Sequence, residues 1–125
     1  MCLLVHTPSA SNPDLNHLGI VLTKPRENEG GTTEILLVKV TSVRPYVPHD
    51  KSCILVAGDH PMINHPSYIY YAQAKKYDVE IIKSGYRNTF KNYGFLEENV
   101  LQRVTEGLIT SPQTPNILKK YYQES

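Results

Sequence analysis

The chain has 125 residues, a formal net charge of +1 and two cysteines, Cys2 and Cys53. That length suits one domain with its own core, and the balanced charge excludes a global field drawing the protein onto nucleic acid or an anionic membrane. The cysteines are far apart and form no CxxC pair, which excludes a disulfide framework and a zinc ribbon.

Residues 6–16 (HTPSASNPDLN) read as a polar connection. Leu18 to Thr23 is a short β-prone run, and residues 24–32 (KPRENEGGT) carry turn chemistry. Thr33 to Thr41 reads as a strand, with Leu36, Val38 and Val40 on one face and Leu37, Lys39 and Thr41 on the other. The two runs around that turn suggest an antiparallel hairpin. Arg44 to Ser52 is a Pro-rich loop. Further strands are expected at Cys53–Ala57, Tyr68–Tyr71 and Asp78–Ile82. No helical pattern alternates with them, which argues against a parallel sheet.

The last third changes period. Leu96, Val100, Leu101, Val104 and Leu108 recur at helical spacing, and Gly107 stands where a helix would close. Thr114 and Pro115 read as the cap and first turn of a second helix. Helices are therefore expected at about 96–107 and 115–122. The expected class is mainly β with C-terminal helices (α+β), a small barrel or sandwich in one domain spanning residues 1–125. The β core would cover about 15–82 and the helical part about 95–123. No apolar run approaches the roughly 20 residues of a membrane span, and no signal-peptide pattern is present, so a cytoplasmic location and no membrane partner are expected.

The stretch Gly58 to Tyr68 concentrates chemistry. It holds Asp59, His60, His65, Ser67 and Tyr68, stiffened by Pro61 and Pro66, between apolar runs. Polar titratable groups in a stiff connection between buried strands suit a binding or catalytic site. A structural turn shaped by its prolines is the other use of the same residues. Asp59, His60 and His65, with His6, His17 or His49, offer metal donors, but their spacing matches no established ligand class and there is no HExxH. No metal and no cofactor are expected. Residues 83–95 hold Lys83, Arg87 and Lys91 interleaved with Tyr86, Phe90, Tyr93 and Phe95. Such a segment can stack bases and meet phosphates, or it can pack its rings on the core.

Three stretches in order resemble the PemK/MazF family of toxins from toxin–antitoxin pairs: Leu18 to Thr23, Ile35 to Ser42, and His65 to Asp78. The first stands where the family has an apolar strand after an arginine–proline pair. The second is similar to its strand ending in threonine or serine, and the third to its stretch in which a serine opens a strand. The resemblance covers roughly residues 15–82 and is nearest to a subgroup with a Gly-Asp-His-Pro segment. It implies an SH3-like β-barrel with added helices, a homodimer, a cognate antitoxin, and metal-independent cleavage of single-stranded RNA. This chain has His17-Leu18 where the family carries Arg-Pro, whereas Thr41-Ser42 keeps the hydroxyl pattern.

Such cleavage needs a base for the 2′-hydroxyl, an acid for the leaving 5′-oxygen and a donor for the phosphorane. Histidine serves the first two near neutrality. His17, Thr41, Ser42, His60 and His65 are the expected catalytic set. Arg44, Asp59, Ser67, Lys83, Tyr86, Arg87 and Lys91 are the expected substrate contacts, with Arg44 replacing the missing fixed charge. The competing expectation is a non-catalytic SH3-like module that binds a protein partner or nucleic acid through the same face.

Overall fold

The computed structural model describes residues 3–8, 16–80 and 92–124. Strands run at Leu3–Pro8 (β1), Asn16–Val21 (β2), Arg26–Glu27 (β3), Thr33–Ser42 (β4), Ile54–Leu55 (β5), Ser67–Ile69 (β6), Lys75–Asp78 (β7) and Asn92–Phe95 (β8). Two helices follow, Glu98–Thr110 (α1) and Asn116–Gln123 (α2). None of the described helices is long and apolar enough to cross a membrane.

β4 organises the sheet. Its ten residues carry β2 and β3 on one edge and β6 and β7 on the other, all antiparallel. The expected hairpin is β2 with β4, in the register Leu18↔Val40 to Val21↔Leu37. The full path is β5-β6-β4-β2-β1-β8. Among the described residues no pairing joins β5 to β8, so the sheet is open along this path.

Both faces of β4 are partly buried. Leu36, Val38 and Val40 join Ile20, Leu55, Ile69 and Tyr71 in a core that Val100, Val104, Leu108 and Leu118 cover from the helices. On the opposite face Ile35 and Leu37 meet Val21 and Val79 in a smaller cluster, flanked by Tyr77. Beyond it, Lys39 and Thr41 are only half-buried.

Several expectations are corrected. Residues 6–8 are strand, not connection, because β1 pairs with the outer edge of β2 and with β8. Residues 92–95, the end of the segment of interleaved rings and cations, form β8, for which no strand was expected. The fifth expected strand begins earlier, at Lys75, and ends at Asp78; residues 81–82 lie outside the described residues. Gly107 does not close α1, which runs on to Thr110. A Cβ at Gly107 would lie 2.2 Å from the Tyr71 hydroxyl, so the glycine serves close approach instead. Pro115, not Thr114, holds the cap position of α2, and the Thr114 hydroxyl is buried with no hydrogen-bond partner.

Candidate functional site

The end of β4 is where polar side chains gather. β6 lies alongside with Thr41↔Tyr68 and Ser42↔Ser67, and the Val43 amide donates to the Pro66 carbonyl at 3.0 Å. This pairing brings the tail of the Asp-His-Pro loop against Ser42. Ser42 Oγ lies 2.6 Å from His65 Nε2, and His65 Nδ1 lies 2.6 Å from Asn64 Oδ1. A carbonyl oxygen can only accept, so Nδ1 carries the proton and donates to Asn64. Nε2 is then the basic nitrogen and accepts the Ser42 hydroxyl proton. Asn64 and His65 are exposed and Ser42 is half-buried. Buried Ser67 donates to the His65 carbonyl at 3.1 Å and steadies the backbone there.

The front of the same loop is differently occupied. Asp59 accepts from the Val56 amide at 2.8 Å and its own amide donates to the Val56 carbonyl at 3.0 Å, closing a turn at Gly58. Gly58 has φ of 101°, a left-handed conformation that favours glycine. Asp59 also pairs with Arg103 of α1 at 2.8 Å. His60 is buried, and its Nδ1 accepts from the Met62 amide at 3.1 Å. Ile63 beside it enters the main core. Asp59 and His60 thus frame the loop, while His65, Ser67 and Ser42 meet at its end. Thr41 precedes Ser42 but points to the other face of the sheet, by strand alternation. Extending the β2–β4 register by one residue sets the backbone of His17 level with Thr41. Arg44 is exposed, two residues beyond Ser42. Lys83, Tyr86, Arg87 and Lys91 lie outside the described residues.

Sequence reasoning missed Asn64, Arg103, Asp50 and Ser111. Asp50 is buried and accepts from the Ser52 amide at 2.9 Å, from the Ser52 hydroxyl at 2.6 Å and from the Ser111 hydroxyl at the end of α1. Burial works to raise its carboxyl, but the hydrogen bonds from Ser111 and Ser52 outweigh it and hold the group below the usual carboxylate range. The i, i+2 spacing of Asp50 and Ser52 is the local signal of an Asx turn; the Ser111 contact has no local signal. Among the described residues no three His, Cys, Asp or Glu side chains come together as a metal-ligand set.

On the Thr41 face lies a second group. The rings of His49 and Tyr68 have centroids 5.2 Å apart, and those of Tyr68 and Tyr70 5.8 Å apart. Burial and then Tyr70 push the Tyr68 phenol up, and Arg44 pulls it down. Burial and then Lys75 hold the Lys39 ammonium below its ordinary value. The loop from Val43 to Lys51 lines a concavity of about 480 Å³. A larger one of about 700 Å³ lies elsewhere, between residues 22–26 and 122–124.

A serine–histidine pair serves acyl transfer only with an oxyanion hole, for which the amide beside the nucleophile is a usual donor. Here the Val43 amide is already bonded to Pro66. Phosphodiester cleavage by an internal 2′-hydroxyl needs a base, a donor to the phosphorane and an acid for the leaving oxygen. The His65 imidazole and the Ser42 hydroxyl can serve as the first two. Comparison with protein-family models, with curated proteins and with solved structures finds no match to this chain.

Proposed function

We propose that this chain is a metal-independent endoribonuclease of the PemK/MazF kind, acting on single-stranded RNA. The observation that carries the proposal is the contact of Ser42 Oγ with His65 Nε2 at 2.6 Å, backed by Asn64 on Nδ1. His65 takes the proton of a 2′-hydroxyl, whose oxygen attacks the adjacent phosphorus. The P–O5′ bond breaks, leaving a 2′,3′-cyclic phosphate and a 5′-hydroxyl. Ser42, displaced from Nε2 by substrate, donates to a non-bridging phosphate oxygen. Arg44, two residues further along the chain, is the candidate source of fixed positive charge. His17 is the candidate acid for the leaving oxygen, because an imidazole keeps a protonated fraction near neutrality. An SH3-like barrel, a homodimer and a cognate antitoxin belong to the same proposal through the family resemblance.

The test is incubation of purified protein with mixed-sequence single-stranded RNA in excess EDTA. Cleavage to 2′,3′-cyclic ends is expected, with a bell-shaped pH profile. His65→Ala should lower the rate by about 10²- to 10⁴-fold, the usual worth of a positioned general base. If intact protein cleaves nothing between about pH 5 and 9, around the imidazole range, the enzyme is abandoned in favour of a non-catalytic binding module.

A further inference from the structure

The face of the sheet opposite α1 and α2 carries a row of rings beside cations. We propose that His49, Tyr68 and Tyr70 form a stacking platform for the bases of a single-stranded nucleic acid, with Lys39, Arg44 and Lys75 holding its phosphates. This rests on the RNase proposal for its substrate class and adds the surface by which that substrate is held.

Val40 pairs with Ile69 on the core face, so Thr41 and Tyr68, the next pair, project from the other side. Lys39 lies on that side by alternation along β4, and Lys75 by its pairing with Leu37. Both helices bury their apolar side chains in the core on the opposite face. The ring row is stepped: His49 and Tyr68 are inclined at 34°, Tyr68 and Tyr70 at 40°. His49, Tyr68 and Tyr70 are all half-buried, so none of the three is closed off from solvent. Sheets that bind single-stranded RNA present aromatic side chains on an open face in this way.

Charge decides the occupant. Lys39 has no carboxylate within ion-pair distance among the described residues, and its charged neighbour is another lysine. Two like charges held together on one face, with no ion-paired acid among the described residues, favour a polyanion. The adjoining turn carries a further exposed ring, that of Tyr46. In Arg44-Pro45-Tyr46-Val47 the Val47 amide donates to the Arg44 carbonyl at 3.3 Å, and Tyr46 has φ of 66°. Glycine or asparagine suits that turn position. Tyr46 instead occupies it with its side chain fully exposed. Neither the backbone nor the packing of the fold gains from a tyrosine there. Thr41 is on the platform face and Ser42 follows it, so a strand leaving the rings crosses the end of β4 beside His65.

The test uses a fluorescein-labelled oligodeoxythymidine of about 12 nucleotides, long enough to span several stacked bases. It lacks the 2′-hydroxyl and cannot be cleaved, so anisotropy reads binding alone. Saturable binding is expected at low salt. Tyr68→Ala and Tyr70→Ala should each weaken it by roughly 5- to 150-fold, and Tyr68→Phe, which keeps the ring, should bind as intact protein does. Lys39→Gln should reduce the log–log salt slope by about 0.7, the value for one phosphate contact on a single strand. Should Tyr68→Ala not fold, Tyr70→Ala and Lys39→Gln carry the test. Binding that is absent at low salt, unchanged in Tyr70→Ala, or equally strong for duplex DNA overturns the platform. RNA cleavage with unaltered KM in Tyr70→Ala overturns the platform and leaves the RNase standing. Oligonucleotide binding without RNA cleavage does the reverse.

Discussion

Asn64 is the residue whose role is least visible in the sequence and clearest in space. Ser42 and His65 stand out in the chain, one at the end of an apolar strand and the other in a stiff titratable loop. Their contact depends on the pairing of β4 with β6, which joins positions 23 residues apart. Asn64 draws notice only once His65 Nδ1 is seen to face it at 2.6 Å. It is a positioning residue, because it acts through His65. Removing it frees the ring to rotate and to exchange the proton between its nitrogens. Asn64→Ala is therefore expected to lower kcat for RNA cleavage by roughly tenfold or more while leaving KM near its original value, the mark of a group that matters in the transition state. Both side chains are exposed, so unfolding free energy should move by less than about 0.5 kcal/mol. A matching loss of stability would make Asn64 a structural residue. An unchanged kcat would remove it from the site.

At the scale of elements, the loop from Arg44 to Ser52 is tied to the far end of α1 by Asp50. The hydroxyl of Ser111 donates to the carboxylate, and the same hydroxyl accepts from the Gln113 amide at 3.1 Å. One carboxylate thus fixes a loop, a helix end and the turn toward α2. Strong apolar runs made β4 legible, and the 3.6-residue period did the same for the helices. β1 and β8 were not legible, since each is specified by a neighbouring edge and not by its own pattern. The Asp50 tie was equally hidden, because its partners lie 61 residues apart. It has a pH signature. The folded carboxyl sits below its ordinary value, so its stabilisation is complete above the unfolded pKa of about 3.9 and is lost as pH falls through the folded value. Asp50→Ala should cost about 2 kcal/mol at pH 7, in the range for hydrogen bonds to a charged group. That difference should shrink at a pH below the folded value, where the intact protein is protonated too. Urea unfolding at the two pH values measures this. A cost that is the same at both would mean that the contact does not depend on charge.

On the scale of the whole molecule, the class was legible and the closure was not. A β-rich body followed by two helices follows from periodicity, but whether a sheet closes depends on which edges meet, and periodicity is silent on that. Gly107 shows the same limit. Near the end of a helical pattern, a glycine reads as a stop. In space it lets helix and sheet approach, with the Tyr71 hydroxyl donating to the Val104 carbonyl at 2.6 Å. Tyr71 is fully buried, and it bonds α1 to the end of the β6 segment across the main core. Two effects compete in Gly107→Ala. Helix propensity favours alanine by about 1 kcal/mol. The new Cβ would meet the Tyr71 Oη at 2.2 Å and its Cζ at 2.9 Å, distances that force helix and sheet apart. Overpacking in a filled core costs about 1–3 kcal/mol and here offsets the propensity gain or exceeds it. Tyr71→Phe removes the nearer atom together with the hydrogen bond, at a cost of about 1 kcal/mol. In the double variant the clash is partly relieved, so the two costs should fail to add by about 1 kcal/mol. Thermal unfolding of the four proteins closes the cycle. Additivity within about 0.5 kcal/mol, the behaviour of independent sites, would show that helix and sheet are not held in register through this contact.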